Sequence, residues 1–291
     1  MADNGAVLDI RDLTVKYRTV AGDVTAVDGV DLQVKRGEIL GVAGRSGCGK
    51  STMATTVLRL LRLPGFVAGG TAEFQPREGA PFDLLEADES QLEDLRWRHL
   101  AYLPQGSMNS LNPIARVRDQ FADVMLHHDW QPGGRGDGEP SGRRRGGRRG
   151  NALREEVAEL LAEVGLSPTV ADMYPHELSG GMKQRVIIAM AVALRPDLLI
   201  ADEPTTALDV TIQRVVIQNL ADLRDRLGVT MMVITHDMGV HAQLVDRVAV
   251  MNEGRIVEVG DVRQMFKDPA DPYTQDLIRS IPDLTVREEA V

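Results

Sequence analysis

Residues 39–52 read Ile39-Leu40-Gly41-Val42-Ala43-Gly44-Arg45-Ser46-Gly47-Cys48-Gly49-Lys50-Ser51-Thr52. Apolar residues run straight into the pattern G-x-x-x-x-G-K-[ST] at Gly44 to Ser51. Helical character follows from Thr52 to Leu63, closed by Pro64-Gly65. A strand that feeds a glycine-rich turn and then a helix is the context a phosphate-binding loop requires. Glycines let successive backbone N–H groups converge on phosphate oxygens with no Cβ in the way, and the following helix adds the positive end of its dipole. In that arrangement Lys50 reaches the β- and γ-phosphates of a nucleotide, and the Ser51 hydroxyl ligates Mg2+.

Outward from this loop the pattern alternates strands with helices. Leu8 and Ile10, then Leu13 and Val15, predict an amphipathic ribbon with a shift near Arg11-Asp12. Val30, Leu32 and Val34 alternate into a tight turn at Lys35-Arg36-Gly37-Glu38. Downstream, Val157, Leu160, Leu161 and Val164 mark a helix capped by Gly165, and Ser179 opens a largely buried one over Gly180 to Leu194. Leu198 to Ala201 reads as a strand buried on both faces. Ile212, Val215, Val216, Leu220, Leu223 and Leu227 form another helical stripe, stopped by Gly228. Met231 to Ile234 is a further buried strand. Val248–Met251 and Ile256–Val259 read as a hairpin turned at Asn252-Glu253-Gly254-Arg255. The class is α/β, with a mainly parallel core and antiparallel strands at its amino end.

Composition narrows the function. With 291 residues, 43% of them hydrophobic, the chain is long enough for one large domain or one domain with an appendage, so global disorder is excluded. Val186 to Leu194 is the longest apolar run, half of the roughly 18 residues a membrane span needs. Met1 to Gly5 lack the charge and apolar stretch of a signal peptide. Cys48, the single cysteine, excludes an internal disulfide framework and an all-cysteine cluster within one chain. The expectation is a soluble, acidic, cytosolic protein. Residues 129–150 depart from this pattern, with eight glycines and six arginines against three acids. They carry +3, leaving −13 on the rest of a −10 chain, and read as a flexible surface insertion.

Two further stretches carry chemistry. Leu198-Leu199-Ile200-Ala201-Asp202-Glu203 delivers adjacent carboxylates from a buried strand, which is costly unless a cation and a reactive water use them. Asp202 suits the Mg2+ side, directly or through water, and Glu203 suits the general base for the attacking water. In isolation the pair would read as two solvated acids; beside a phosphate loop the catalytic reading is the stronger. Leu178-Ser179-Gly180-Gly181-Met182-Lys183-Gln184-Arg185 places a serine cap and two glycines at a helix start, an anion-binding N-terminus or an ordinary capped helix.

This ordered set, from about Leu8 to Val259, resembles the nucleotide-binding subunit of an ATP-binding-cassette (ABC) transporter. The resemblance implies a P-loop NTPase fold of the ABC type, with a RecA-like parallel core, an antiparallel β subdomain and a helical signature subdomain. The ATPase domain would cover 7–260, its helical subdomain about 106–195 with the insertion at 129–150, and a C-terminal tail 261–291. It implies that Gly44, Arg45, Ser46, Gly47, Cys48, Gly49, Lys50, Ser51 and Thr52 hold ATP. Tyr17 fits the aromatic that stacks on adenine, or an ordinary half-buried strand tyrosine. Gln105 fits the loop glutamine that contacts Mg2+ and water. Ala207-Leu208-Asp209 fits the loop that crosses to an opposing subunit, and His236 fits the switch histidine at the γ-phosphate. Met182 stands where many ABC proteins have glutamine, and Thr206 replaces the commoner serine while keeping its hydroxyl. With Glu203 and His236 both present, a hydrolytically competent site is expected. Cys48 reads as a redox-sensitive thiol or as a small residue tolerated where the backbone does the binding.

Within the family, His176 to Met182, Ala201 to Gln213, Ser110-Leu111-Asn112-Pro113 and Pro272-Tyr273-Thr274-Gln275 resemble the dipeptide/oligopeptide/nickel import branch. Asp271 stands where that branch usually has histidine, and no cysteine cluster in the tail supports an iron–sulfur centre. Gln105 to Asn109 are less typical of peptide importers and leave oligosaccharide cargo open, as the branch leaves nickel. The resemblance implies an ATP-hydrolysing motor on the cytoplasmic face of the cell membrane, held there peripherally by two integral-membrane permease subunits. A second ATP-binding subunit, a related chain in preference to a copy of this one, would complete two sandwiched ATP sites. An extracytoplasmic solute-binding protein would act indirectly. A soluble DNA-handling ABC ATPase is the competing class. Residues 129–150 have no heptads and are far too short for the coiled coils such proteins carry, so no nucleic-acid partner is expected. A P-loop kinase would leave the signature stretch and the Asp202-Glu203 pair without work.

Overall fold

The computed structural model describes residues 5–128, 146–206 and 208–280. In chain order the first elements are β1 (Ala6–Thr19), β2 (Gly22–Lys35), β3 (Ile39–Ala43), α1 (Lys50–Val57), β4 (Gly65–Phe74), β5 (Phe82–Asp83) and α2 (Glu89–Leu95). Then come β6 (Leu100–Leu103), α3 (Val117–His127), α4 (Gly146–Glu163), α5 (Gly180–Val192), β7 (Leu198–Asp202) and α6 (Val210–Leu227). The chain finishes with β8 (Thr230–Ile234), α7 (Met238–Leu244), β9 (Arg247–Asn252), β10 (Arg255–Asp261), α8 (Val262–Lys267) and α9 (Pro272–Arg279). Two compact units result, 1–87 with 230–291, and 88–229.

In the first unit an antiparallel sheet runs β2-β1-β4-β5. Leu8, Ile10, Leu13 and Val15 are all fully buried. The register slips between the Ile10–Leu32 and Leu13–Val30 pairs, and Asp12 takes φ 47° there, so the extra residue is absorbed as a bulge that keeps the apolar set on one face. β3 pairs in parallel with β8 on one side and β9 on the other, with Leu40 opposite Met232 and Arg247. All five residues of β3 and of β8 are buried, as apolar strands covered on both faces must be. β9 and β10 form the expected hairpin, turned on Glu253 (φ 48°) and Gly254 (φ 83°).

α1 is shorter than its sequence suggests, ending at Val57 and not at Leu63. Arg59 takes φ 57°, while Leu60 N–H donates to Thr55 O at 2.7 Å and Arg59 N–H to Thr56 O at 3.0 Å. These bonds make a Schellman stop with arginine in the place usually held by glycine. The Arg59 side chain donates to the Leu85 carbonyl.

α7 packs over β3 with His241 fully buried. A Cβ added to Gly41 would come within 2.4 Å of His241 Nδ1 and 2.8 Å of Val248 Cγ2. Gly41→Ala is therefore expected to destabilise the chain by about 1–3 kcal/mol through overpacking. The check is a lower urea midpoint at unchanged slope; an unchanged midpoint would contradict the tight packing.

In the second unit β6 and β7 pair in parallel, Leu103 opposite Ala201. Val157, Leu160, Leu161 and Val164 are buried, and Gly165 turns the chain at φ 69°. α4 starts at Gly146, so residues 146–150, read as the end of a flexible insertion, are helical. Residues 129–145 lie outside the described residues. α6 stops at Gly228, which takes φ 63°. Among the described residues no helix is long and apolar enough to cross a membrane.

Candidate active site

The phosphate loop joins β3 to α1 as its sequence predicts. A Cβ on Gly44 would lie 2.2 Å from Met251 O, and one on Gly49 would lie 2.3 Å from Ala26 O. The backbone therefore sits where only glycine fits. Lys50 is buried, and its Nζ turns back into the loop, donating to Gly44 O at 2.7 Å and Arg45 O at 3.0 Å. Cys48 Sγ lies 3.6 Å from the same nitrogen. Arg45, Ser46 and Gly47 are exposed at the loop's rim, as is Ser51 in the first turn of α1.

Tyr17 on β1 is half-buried. Its hydroxyl lies 3.4 Å from Thr52 Oγ1, and its ring edge fits against Gly65, where a Cβ would approach Cε1 to 2.9 Å. His236 follows β8 and is exposed. The chain on either side of it is tied down. Thr235 N–H donates to Val42 O at 3.3 Å, Asp237 N–H donates to Thr235 Oγ1 at 3.1 Å, and the Asp237 carboxylate caps α7 at Gly239 N. The first unit thus gathers the phosphate loop, Thr52 and Tyr17 around α1, with the end of β8 anchored to β3 just before that loop.

In the second unit Asp202 ends β7 and is nearly fully buried. The Tyr102 hydroxyl donates to Asp202 Oδ2 at 3.5 Å. Burial first, then the Asp202 charge and this hydrogen bond, push the Tyr102 phenol up to about 12. Tyr102 therefore stays a donor throughout the neutral range. Glu203 takes φ 52°, a left-handed conformation that costs a non-glycine residue about 1–3 kcal/mol and persists where the surroundings enforce it. Its Oε2 accepts from the Thr206 hydroxyl at 2.7 Å. Gln184, buried on α5, donates to Pro204 O at 2.7 Å. It also accepts from Ser107 Oγ at 3.4 Å, so one side chain ties α5 to the carboxylate loop and to the turn after Gln105. Gln105 itself is exposed.

At the start of α5, Ser179 is the N-cap and accepts from Met182 N–H at 3.3 Å. Ser179 and Gly180 are exposed. Gly181 has a packing reason, because a Cβ there would meet Ile212 Cγ2 at 2.6 Å. Asp209 caps α6, accepting from Ile212 N–H at 2.9 Å. Ala207 lies outside the described residues.

Loop amides, a lysine ammonium and the exposed Ser51 hydroxyl form a donor set suited to a polyphosphate. The exposed Ser51 hydroxyl in the first unit, and the exposed Gln105 amide and the buried Asp202 carboxylate in the second, are each oxygen donors of the kind Mg2+ takes. Among the described residues no group of three or more His, Cys, Asp or Glu could hold a metal ion. Sequence reasoning missed the work of Tyr102 and Gln184. Tyr102 sits in the apolar run Leu100 to Leu103, where a polar residue was the available signal; Gln184, between Lys183 and Arg185, carried none.

The ABC transporter family matches residues 27–206. The family described as the C-terminal region of oligopeptide/dipeptide transporters matches residues 257–291. The oligopeptide transport ATP-binding protein OppD of Bacillus subtilis is 38% identical over 281 residues, 96% of this chain and 72% of that protein. OppD of Salmonella typhimurium is 40% identical over 279 residues, 96% of this chain and 77% of that protein. Among solved structures, a dimeric ATP-binding cassette in a post-hydrolysis state, bound to ADP and Pi, aligns at a TM-score of 0.69 with 26% identity. The alignment covers 88% of this chain and 99% of that one.

Proposed function

This chain belongs to the ABC transporter family of ATP-binding subunits, and from that membership we propose that it is the ATP-hydrolysing motor of a dipeptide and oligopeptide importer. The observation that carries the reading is the pairing, in one chain, of a glycine-cradled loop around Lys50 with a second exposed helix start at Ser179-Gly180. One chain with both halves of an anion site uses them fully when a second chain lends its own. The peptide cargo rests on the relatives' names and on the match of the tail to the peptide-transporter region.

In this reading residues 44–52 bind the phosphates and Tyr17 stacks on adenine. Lys50 gives up its loop carbonyls for phosphate oxygens. Ser51, Gln105 and Asp202 hold Mg2+, which when bound neutralises developing phosphate charge. Glu203, steadied by Thr206, takes the proton of the attacking water, and His236 contacts the γ-phosphate. Ser179, Gly180 and Gly181 of a second ATP-binding subunit cover that phosphate, with Asp209 at the same interface. Residues 7–260 form the ATPase domain, about 106–195 its helical subdomain and 261–291 the tail. Closure passes through the segment after Gln105 to two permease subunits at the cytoplasmic face, served by an extracytoplasmic solute-binding protein. A related chain is favoured over a second copy as the ATP-binding partner.

The test is purification of the tagged chain from detergent-solubilised membranes, with its companions identified by mass spectrometry. Two permeases and a second ATP-binding subunit are expected. Recovery without any integral-membrane companion would sink the transport reading. In cells, ATP-dependent uptake of labelled peptide should be lost with Glu203→Gln, and loss of oligosaccharide or nickel uptake instead would reassign the cargo.

A further inference from the structure

The proposed chemistry leaves the tail motif Pro272-Tyr273-Thr274-Gln275 without work, yet the fold secures that motif firmly. Glu258 on β10 accepts from Ala270 N–H at 2.9 Å and Asp271 N–H at 3.0 Å. Burial alone would raise the Glu258 carboxyl, but hydrogen bonding, from the Ala270 and Asp271 backbone among others, outweighs it and holds the group below the usual carboxylate range. Asp271 caps α9, accepting from Tyr273 N–H at 2.8 Å. Gln275 donates to Pro269 O at 3.1 Å. Thr274 and Leu277 are buried.

This scaffold points Tyr273 at the phosphate loop. Its hydroxyl oxygen accepts from Arg45 N–H at 3.1 Å, and the Arg45 guanidinium lies 5.8 Å from the ring centroid. The same peptide unit is held on its other side, where the Gly44 carbonyl accepts from Lys50 Nζ at 2.7 Å. The Gly44–Arg45 peptide is thus fixed at both polar ends, by the lysine that must move toward phosphate and by a tyrosine that need not. Gly44, at φ +149°, has no Cβ to resist rotation of that peptide.

We infer that Tyr273 is a positioning residue for the nucleotide site. Its phenol keeps the Gly44–Arg45 peptide oriented when Lys50 releases the carbonyl, so the cradle is already formed when ATP arrives. Affinity then comes partly from preorganisation, which removes an ordering cost from binding. The inference rests on the ATP-binding reading above.

The experiment measures trinitrophenyl-ATP affinity and steady-state ATPase kinetics for the full chain and three variants. Tyr273→Phe keeps the ring and removes the acceptor; Kd and KM are expected to rise by about 2–10-fold, the worth of one hydrogen bond, with kcat little changed. Gln275→Ala loosens α9 without touching the loop and should bind like the parent chain. Lys50→Ala tests the underlying reading. If Lys50→Ala binds normally, the ATP site itself is misassigned. If Lys50→Ala fails to bind while Tyr273→Phe matches the parent, the tyrosine does no positioning. Equal losses in Tyr273→Phe and Gln275→Ala would also overturn the inference, by placing the effect in general docking of the tail.

Discussion

Glu203→Gln is expected to cut ATP hydrolysis by about 10²–10⁴-fold, the usual contribution of a positioned general base, while ATP affinity stays within about twofold. The substitution is informative because so little else changes. Glutamine keeps the shape of the side chain, and its amide oxygen can still accept from the Thr206 hydroxyl, as Glu203 Oε2 does at 2.7 Å. The left-handed backbone at Glu203, φ 52°, costs either residue alike. In the proposed scheme only the capacity to take a proton from water is lost. ATP-loaded chains should then accumulate as a two-chain assembly with the second ATP-binding subunit, visible as an earlier-eluting peak in size exclusion of the pair with ATP and Mg2+. Turnover within about tenfold of the parent would remove Glu203 from the role of base. Lost turnover with no assembly in the presence of that second subunit would leave the base in place and discard the sandwiched-ATP scheme.

The elements that were legible in the sequence share a physical cause, which is local redundancy. β3, β7 and β8 are short apolar runs bounded by polar or glycine residues, and such runs have few other places to go than a covered sheet. The shift near Arg11-Asp12 showed because the apolar alternation breaks there, and the structure absorbs it as a register slip. The end of α1 was not legible, because its stop is set by Arg59 in a left-handed conformation that glycine would have announced. β4 escaped as well: between Gly65 and Ala72 its side chains are intermediate or exposed, so no alternation appears until Ala72 and Phe74 turn inward. At the site, motif order singled out Lys50, Asp202 and Glu203 as candidates, since motifs of this kind are defined by spacing. The supporting contacts through Tyr102, Gln184 and Tyr273 are separated by 228 residues in the longest case, Arg45 to Tyr273. No window of sequence can display a partner at that distance.

Lys50→Ala should produce the opposite pattern from Glu203→Gln, losing binding and turnover together. Lys50 as a residue is only 7% exposed, a costly position for a cation unless its protons are taken up. The loop supplies neutral acceptors for them, Gly44 O at 2.7 Å and Arg45 O at 3.0 Å. Phosphate offers charged oxygens in their place, so the ammonium gains the attraction of an opposite charge that a carbonyl lacks, and the exchange favours nucleotide. Alanine removes the charge and leaves both carbonyls short of a donor in the empty loop. At about 1.5–3 kcal/mol for a hydrogen bond to a charged group, loss of a single such bond already weakens ATP binding by roughly 10–100-fold. Titration calorimetry with ATP should show that loss, and hydrolysis should fall to background at concentrations that saturate the parent. Arginine is not expected to rescue it, because a planar guanidinium cannot replace a compact ammonium inside a loop closed around Gly44 and Gly49. Affinity retained in Lys50→Ala would mean that the backbone amides alone hold the phosphates, and that the buried ammonium serves only to close the loop on itself.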